Sequence, residues 1–322
     1  MKPLRFGLLG LGYFGKNYVR LLQSMEGVEL AAIASRTEET LARFKGSVPA
    51  AAIKTTDSAT ILKNPDIDCV VIATPAHTHF SLAREALENG KHVLLEKPMT
   101  TSLEEARQLK AAVKKSRSTF MVGHQFVYHD CIRHLRSLIN EGSLGRVNYA
   151  FGEHALFPSR PDVGCLWDAG THQLSMLQYI LKPGKIVKVV GRSVDVSGRG
   201  VDDFTVAAVE FKSGLLATVL VSWLGAKKTR RLALVGEKKV AVFDDVEEND
   251  KLRLFSRSPE PELPRISAKE PLLNELEHFI HCIRTGESPL TGIDSSYEIT
   301  GWLDKISASL SVSLGSAKKN LP

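Results

Sequence analysis

Through the first 122 residues, short apolar runs of β-forming composition alternate with segments of helical period, which restricts the fold more than any other property of the chain. Leu4–Leu9, Val28–Ala34 and residues 69–73, 92–95 and 119–122 read as buried strands, each a nearly unbroken apolar run. Residues 14–25, 37–44 and 78–88 carry helical spacing, and Ser102-Leu103-Glu104-Glu105 has the form of a capping box opening a helix to about residue 115. Strands that alternate with helices predict a parallel sheet covered on both faces.

Three strand ends in this stretch carry chemistry. Gly10-Leu11-Gly12-Tyr13-Phe14-Gly15 lies between a strand and a helix, the setting a dinucleotide fingerprint requires. Gly10 permits the tight turn, Gly12 lets a pyrophosphate approach the backbone, Gly15 lets helix and strand pack closely, and the helix start offers N–H groups to phosphates. NAD sites place an acid about 20 residues further on; here Ala34-Ser35-Arg36-Thr37 stands there instead. Ser35 and Arg36 suit a 2′-phosphate, which favours NADP over NAD, the other reading of Arg36 being a solvated residue at a helix start. Thr74 and Pro75 end the third apolar run and would shape the wall beside the nicotinamide. His79 either contacts the cofactor or caps and packs the next helix, and for His77 the capping or packing reading is preferred. Glu96-Lys97-Pro98 follows the next strand and puts a cationic amine where ligands collect in an open parallel sheet.

The pattern changes near Gly123, giving two domains, residues 1–122 and 123–322. After a helix at about 131–140, alternating segments at 204–211 and 215–223 flank the turn Lys212-Ser213-Gly214, and those at 232–235 and 240–243 flank another at Gly236. They predict an open, mainly antiparallel sheet. The Pro-rich stretch 257–271 reads as a surface loop, and helices at about 272–285 and 296–314 finish the chain. Asp168 and His172, four apart, share a helix face, roughly opposite Leu174, Leu177 and Leu181. A histidine in a cleft can move a hydroxyl proton near neutral pH, and a cationic Lys97 can stabilise a developing alkoxide. Asp168 would orient the imidazole or bind substrate.

The fingerprint, Ala73-Thr74-Pro75 with His79, Glu96-Lys97-Pro98, Gly123-His124-Gln125, Trp167-Asp168-Ala169-Gly170-Thr171-His172 and the tail from Glu270 to Phe279 together resemble the Gfo/Idh/MocA oxidoreductases. The resemblance spans nearly the whole chain. It implies a Rossmann domain followed by an α/β domain with an open sheet, and a reaction centre served by Lys97 and a downstream histidine. It also implies contacts to the cofactor from Tyr13, Phe14 and Glu96, and to the substrate from Gln125, Arg160 and Trp167. Gln173 follows the histidine where many relatives carry another polar residue or an acid, and Gln125 stands where Asn is frequent. The stretch 157–168, with Arg160, Asp162 and Trp167, looks closest to the nucleotide-sugar 3-dehydrogenases.

Composition narrows the alternatives. At 322 residues, with a net charge of +6, the chain shows no basic stripe with interleaved aromatics, so a nucleic-acid partner is not expected. The run Lys227-Lys228-Thr229-Arg230-Arg231 reads as a solvated strand edge or as an attractor of anionic ligands. No apolar run reaches membrane-spanning length, and no His, Cys or carboxylate spacing suits a metal. The scattered Cys69, Cys131, Cys165 and Cys282 suit free thiols in a cytoplasmic protein. The expected activity is hydride transfer between NADP and a secondary hydroxyl or ketone of a sugar, cyclitol or nucleotide-sugar, in a cleft between the domains whose outer part Arg160 and Asp162 would line. Redox-assisted cleavage of a glycosidic bond and a cofactor-bound regulator remain open. A homodimer or homotetramer would form through the second sheet.

Overall fold

The computed structural model describes residues 2–155, 163–256, 258–310 and 312–314. These divide into two compact units, one comprising residues 1–123 and 275–297, the other 124–274 and 298–322. The chain thus returns to the first unit late, over a stretch that the sequence reading assigned to the second domain.

The first unit holds a six-stranded parallel sheet of β1 (Leu4–Leu9), β2 (Val28–Ala34), β3 (Ile53–Thr55), β4 (Cys69–Ile72), β5 (His92–Glu96) and β6 (Phe120–Gly123), ordered β3-β2-β1-β4-β5-β6. It is the expected Rossmann sheet, and strand order reverses between β1 and β4. Helices α1 (Gly15–Ser24), α2 (Glu38–Arg43), α3 (Ser58–Leu62), α4 (His79–Glu88) and α5 (Leu103–Lys115) supply its crossovers. Phe6, Leu8, Val70, Val71, Ile72 and residues 93–95 are fully buried without alternation, as a sheet covered on both faces requires. The capping box at α5 forms, with Ser102 Oγ accepting from the Glu105 N–H at 3.2 Å. Glu105 reaches one residue further back than the motif anticipates, to the Thr101 N–H at 3.1 Å. The three-residue edge strand β3 escapes sequence reading because it is too short to show a period.

The second unit is built on an eight-stranded sheet. Its strands are β7 (Val147–Ala155), β8 (Ile186–Asp195), β9 (Phe204–Phe211), β10 (Leu216–Ser222), β11 (Thr229–Gly236), β12 (Val240–Asp244), β13 (Leu252–Phe255) and β14 (Val312–Leu314). Their order is β13-β12-β11-β7-β10-β9-β8-β14. Pairing is antiparallel except for β7 with β10 and β8 with β14. One face packs against α6 (Asp130–Asn140) and α7 (Thr171–Leu181) through Ala207, Val209, Phe211, Ala217, Val219, Val221, Trp223, Leu232 and Leu234. Tyr149, Phe151, Val190 and Leu216 are exposed. Of the closing helices, α8 (Pro271–Thr285) matches expectation, but α9 (Ile293–Ser309) ends before residue 314. From Ser307 the sequence alternates serine with apolar residues, a period of two that suits the strand β14 better than a helix. Among the described residues no helix is long and apolar enough to cross a membrane.

Candidate active site

The carboxyl ends of β1 and β4 meet at the strand-order reversal, where the Ala73 N–H donates to the Leu9 carbonyl at 2.8 Å. Gly10 has φ +97°, and a Cβ there would strike the Ala73 carbonyl oxygen; a Cβ on Gly15 would strike the Gly10 carbonyl. Those two glycines are explained by the protein's own packing. Gly12 is not, since a Cβ at that position meets no protein atom within 4 Å. A glycine that packing does not require, beside the start of α1, fits close approach of a pyrophosphate to the backbone. No side chain caps α1 and its first turn holds no acid, so the helix dipole is not opposed there. Tyr13, 72 % exposed, flanks this turn and carries the Lys16 ammonium 4.8 Å above its ring; Phe14 occupies the N-cap.

Beyond β2, Ser35 is half-buried, with its N–H on the Thr55 carbonyl at 3.2 Å, and Arg36 is exposed. Thr37, not Arg36, caps α2 by accepting from the Thr40 N–H, with Glu38 and Glu39 in its first turn. Arg36 therefore stands outside the helix, next to the end of β2.

The turn after β4 is closed by its own side chains. The Thr74 and Thr78 hydroxyls lie 2.7 Å apart, and Thr78 donates to the Pro75 carbonyl. His79, 1 % exposed, has Nδ1 2.8 Å from the Pro98 carbonyl and Nε2 2.9 Å from the Thr74 carbonyl. It thereby ties the turn after β4 to the turn after β5. Lys97 is 7 % exposed and precedes a cis bond to Pro98. The Glu96 carboxylate turns inward, accepting from the Tyr18 hydroxyl at 2.7 Å and the Lys97 N–H at 3.2 Å. These contacts make Glu96 part of the scaffold beneath Lys97.

In the second unit, Asp168 lies in a π-helical turn (Leu166–Gly170) that runs into α7, where the sequence suggested a regular helix. Asp202, from the loop between β8 and β9, anchors this turn by accepting from the Leu166 N–H at 2.9 Å and the Cys165 thiol at 3.0 Å. Asp168 is buried and accepts from the Trp223 indole N–H at 3.2 Å. The His172 ring stands edge-on to Phe126 at 4.9 Å and stacks on His154 at 5.4 Å, with planes 21° apart. His154 escaped the sequence reading, although it falls in phase with Ala150 and Gly152 on the inward face of β7. Trp167 packs against the core and donates to the Ser307 hydroxyl at 3.0 Å. Gln125 is half-buried in the 3-10 turn Gln125–Tyr128, while Arg160 and Asp162 lie outside the described residues. Thr229, Arg230 and Arg231 of the basic run open β11, an interior strand and not an edge, while Lys227 and Lys228 precede it, and Arg230 pairs with Asp245 at 3.0 Å.

A nucleotide-binding sheet with a glycine cradle at its reversal, joined in one chain to a second α/β unit, defines a dinucleotide-dependent oxidoreductase fold. The description "Oxidoreductase family, NAD-binding Rossmann fold" matches residues 4–124, and the GFO/IDH/MocA C-terminal domain matches residues 132–242. The chain belongs to the Gfo/Idh/MocA oxidoreductase family. It is 30 % identical over 236 residues, 68 % of this chain, to 1-carboxy-3-chloro-3,4-dihydroxycyclohexa-1,5-diene dehydrogenase of Comamonas testosteroni, and the match spans 58 % of that relative's length. It is 25 % identical over 296 residues to UDP-N-acetylglucosamine 3-dehydrogenase of Acidithiobacillus ferrooxidans, covering 88 % of this chain and 90 % of the relative. Its fold matches a 3-ketoreductase from Actinomadura kijaniata, solved with TDP-benzene and NADP, at a TM-score of 0.87 and 21 % identity, over 98 % of this chain and 100 % of that one.

Proposed function

We propose that this chain is an NADP-preferring oxidoreductase that interconverts a secondary hydroxyl and a ketone on a ring of the sugar, cyclitol or nucleotide-sugar class. The observation that carries the reading is Gly12, whose glycine identity the protein's packing leaves unexplained. The relatives' names support the substrate class, one a ring diol and another a nucleotide-linked sugar. The bound nicotinamide would supply the hydride acceptor or donor.

Gly10–Gly15 and the start of α1 hold the pyrophosphate, and Ser35 with Arg36 takes the 2′-phosphate by hydrogen bond and ion pair. Lys97 presents a cationic amine to the reacting oxygen and stabilises alkoxide character. His172 holds or releases the hydroxyl proton, an imidazole being suited to that near neutral pH. Asp168, fixed by the Trp223 indole, orients the imidazole or binds substrate one turn before His172. The exposed Tyr149, Phe151, Val190 and Leu216 support self-association through the second sheet. Four buried free thiols support a reducing, cytoplasmic setting.

The test is a screen of sugars, cyclitols and nucleotide-sugars, as alcohols and as ketones, with NADP(H) and NAD(H) in parallel. Nicotinamide turnover with at least one ring alcohol or ketone is expected; none across the panel, with cofactor bound, overturns the reading.

A further inference from the structure

Three side chains meet in the interior of the first unit, behind Lys97. The Tyr18 hydroxyl lies 2.7 Å from Glu96 Oε1 and 3.4 Å from Glu275 Oε1. Tyr18 and Glu275 are 0 % exposed and Glu96 is 7 % exposed. Gly123 closes the space, a Cβ there falling 3.4 Å from both Glu96 Oε1 and Glu275 Oε1.

A phenol carries one hydrogen and can donate to one carboxylate oxygen at a time. With the shorter contact to Glu96 taking that hydrogen, the contact to Glu275 is attractive only if Glu275 brings a proton of its own. The chain then runs from Glu275 O–H to Tyr18 Oη, and from Tyr18 O–H to Glu96. Glu275 Oε2 is buried with no hydrogen-bond partner. That is costly for a carboxylate oxygen and far cheaper for the carbonyl oxygen of a neutral acid.

We propose that Glu96 and Glu275 share one proton across Tyr18, and that neutral Glu275 is a positioning residue, fixing the Glu96–Lys97 corner from which the amine projects. The other carboxylate oxygen of Glu96 accepts from the Lys97 N–H at 3.2 Å, so displacement of Glu96 is passed directly to the Lys97 backbone. Tyr18 on α1 and Glu96 on β5 are the titratable groups that face Glu275, and β6 presents the backbone of Gly123. Burial, then the charge of Glu96, pushes Glu275 well above the ordinary carboxylate range. The effect on activity rests on the proposed function; the protonation does not.

The sign follows from linkage. Above the unfolded glutamate range, near 4.5, folded Glu275 keeps a proton that the unfolded chain has lost. The folding equilibrium constant then falls about tenfold per pH unit on this account, until the folded protein also releases the proton. Glu275→Gln supplies a neutral donor and needs no proton. Urea denaturation of the full chain between about pH 5 and pH 8 should show wild type losing stability relative to Glu275→Gln, by about tenfold per unit. Tyr18→Phe, which breaks the chain, should lower kcat about tenfold with a smaller change in cofactor KM, as should Glu275→Ala. Glu275→Gln should rescue kcat relative to Glu275→Ala. Parallel pH dependences for wild type and Glu275→Gln overturn the shared proton. Unchanged kcat in both Tyr18→Phe and Glu275→Ala overturns the positioning role. The denaturation arm needs no substrate, so its failure is distinguishable from failure of the proposed activity.

Discussion

His172 and His154 stack with ring centroids 5.4 Å apart and planes 21° from parallel, and Phe126 stands edge-on to both, at 4.9 Å from His172 and 6.3 Å from His154. The contact comes from α7 on one side and β7 on the other, and it fixes the plane in which the His172 imidazole lies. A proton-transfer group must be held within a few tenths of an ångström of its partner to be effective. His154→Ala is therefore expected to lower kcat about tenfold, while His154→Phe, which keeps a flat ring there, loses less. Equal kcat in wild type and His154→Ala would remove His154 from the site.

The fingerprint glycines separate into two kinds. Gly10→Ala meets the Ala73 carbonyl and a backbone at φ +97°, so it should destabilise the fold by about 2 kcal/mol or more. Gly12→Val meets no protein atom near its Cβ and should leave Tm nearly unchanged, while weakening nucleotide binding by at least about tenfold. Calorimetry and nucleotide titration on the two variants check the contrast.

Arg36 is exposed and stands outside α2, whose cap is Thr37. Arg36→Asp replaces the proposed phosphate partner with a charge that repels a 2′-phosphate and can accept from a ribose hydroxyl. NADP affinity should fall by about 2 kcal/mol while NAD affinity holds or rises. Equal affinities for both cofactors in wild type would contradict the NADP preference.

Asp202 accepts from the Leu166 N–H, the Cys165 thiol and the Thr205 hydroxyl, at 2.9 to 3.0 Å. A Cβ on Gly164 would collide with its carboxylate, so glycine there makes room for the anchor. Asp202→Ala leaves the Leu166 N–H without its acceptor, while the Cys165 thiol keeps the Val221 carbonyl and the Thr205 hydroxyl keeps Ser193, and should cost about 1–3 kcal/mol. Urea denaturation measures this directly, and a loss below about 0.5 kcal/mol would show that the π-turn holds without Asp202.

The first unit was legible because its strands are buried on both faces and read as unbroken apolar runs, and because turns and caps are local signals. β7 was harder for a physical reason. Its aromatic residues Tyr149 and Phe151 point outward, while the inward positions are Ala150, Gly152 and His154. The small residues make room for α7: a Cβ on Gly152 would lie 2.8 Å from Gln173 Oε1. Hydrophobic alternation therefore points to the wrong face, and it hides His154. Glu275 sits one position beyond Asn274 in a plainly amphipathic helix, and nothing local says that it meets Tyr18, 257 residues away. Trp167 and Glu96 were recognisable as motif residues, but nothing local gave their hydrogen bonds to Ser307 and Tyr18.

Lys97 is proposed to act on the reacting oxygen during nicotinamide-linked hydride transfer, and steady-state turnover of Lys97→Ala against wild type, with cofactor affinity measured on the same samples, separates that role from binding. The wild type is expected to change nicotinamide absorbance with a ring alcohol or ketone. Lys97→Ala should bind cofactor comparably yet lose about 10²-fold or more in kcat. Undiminished kcat in Lys97→Ala, with cofactor bound, would contradict it.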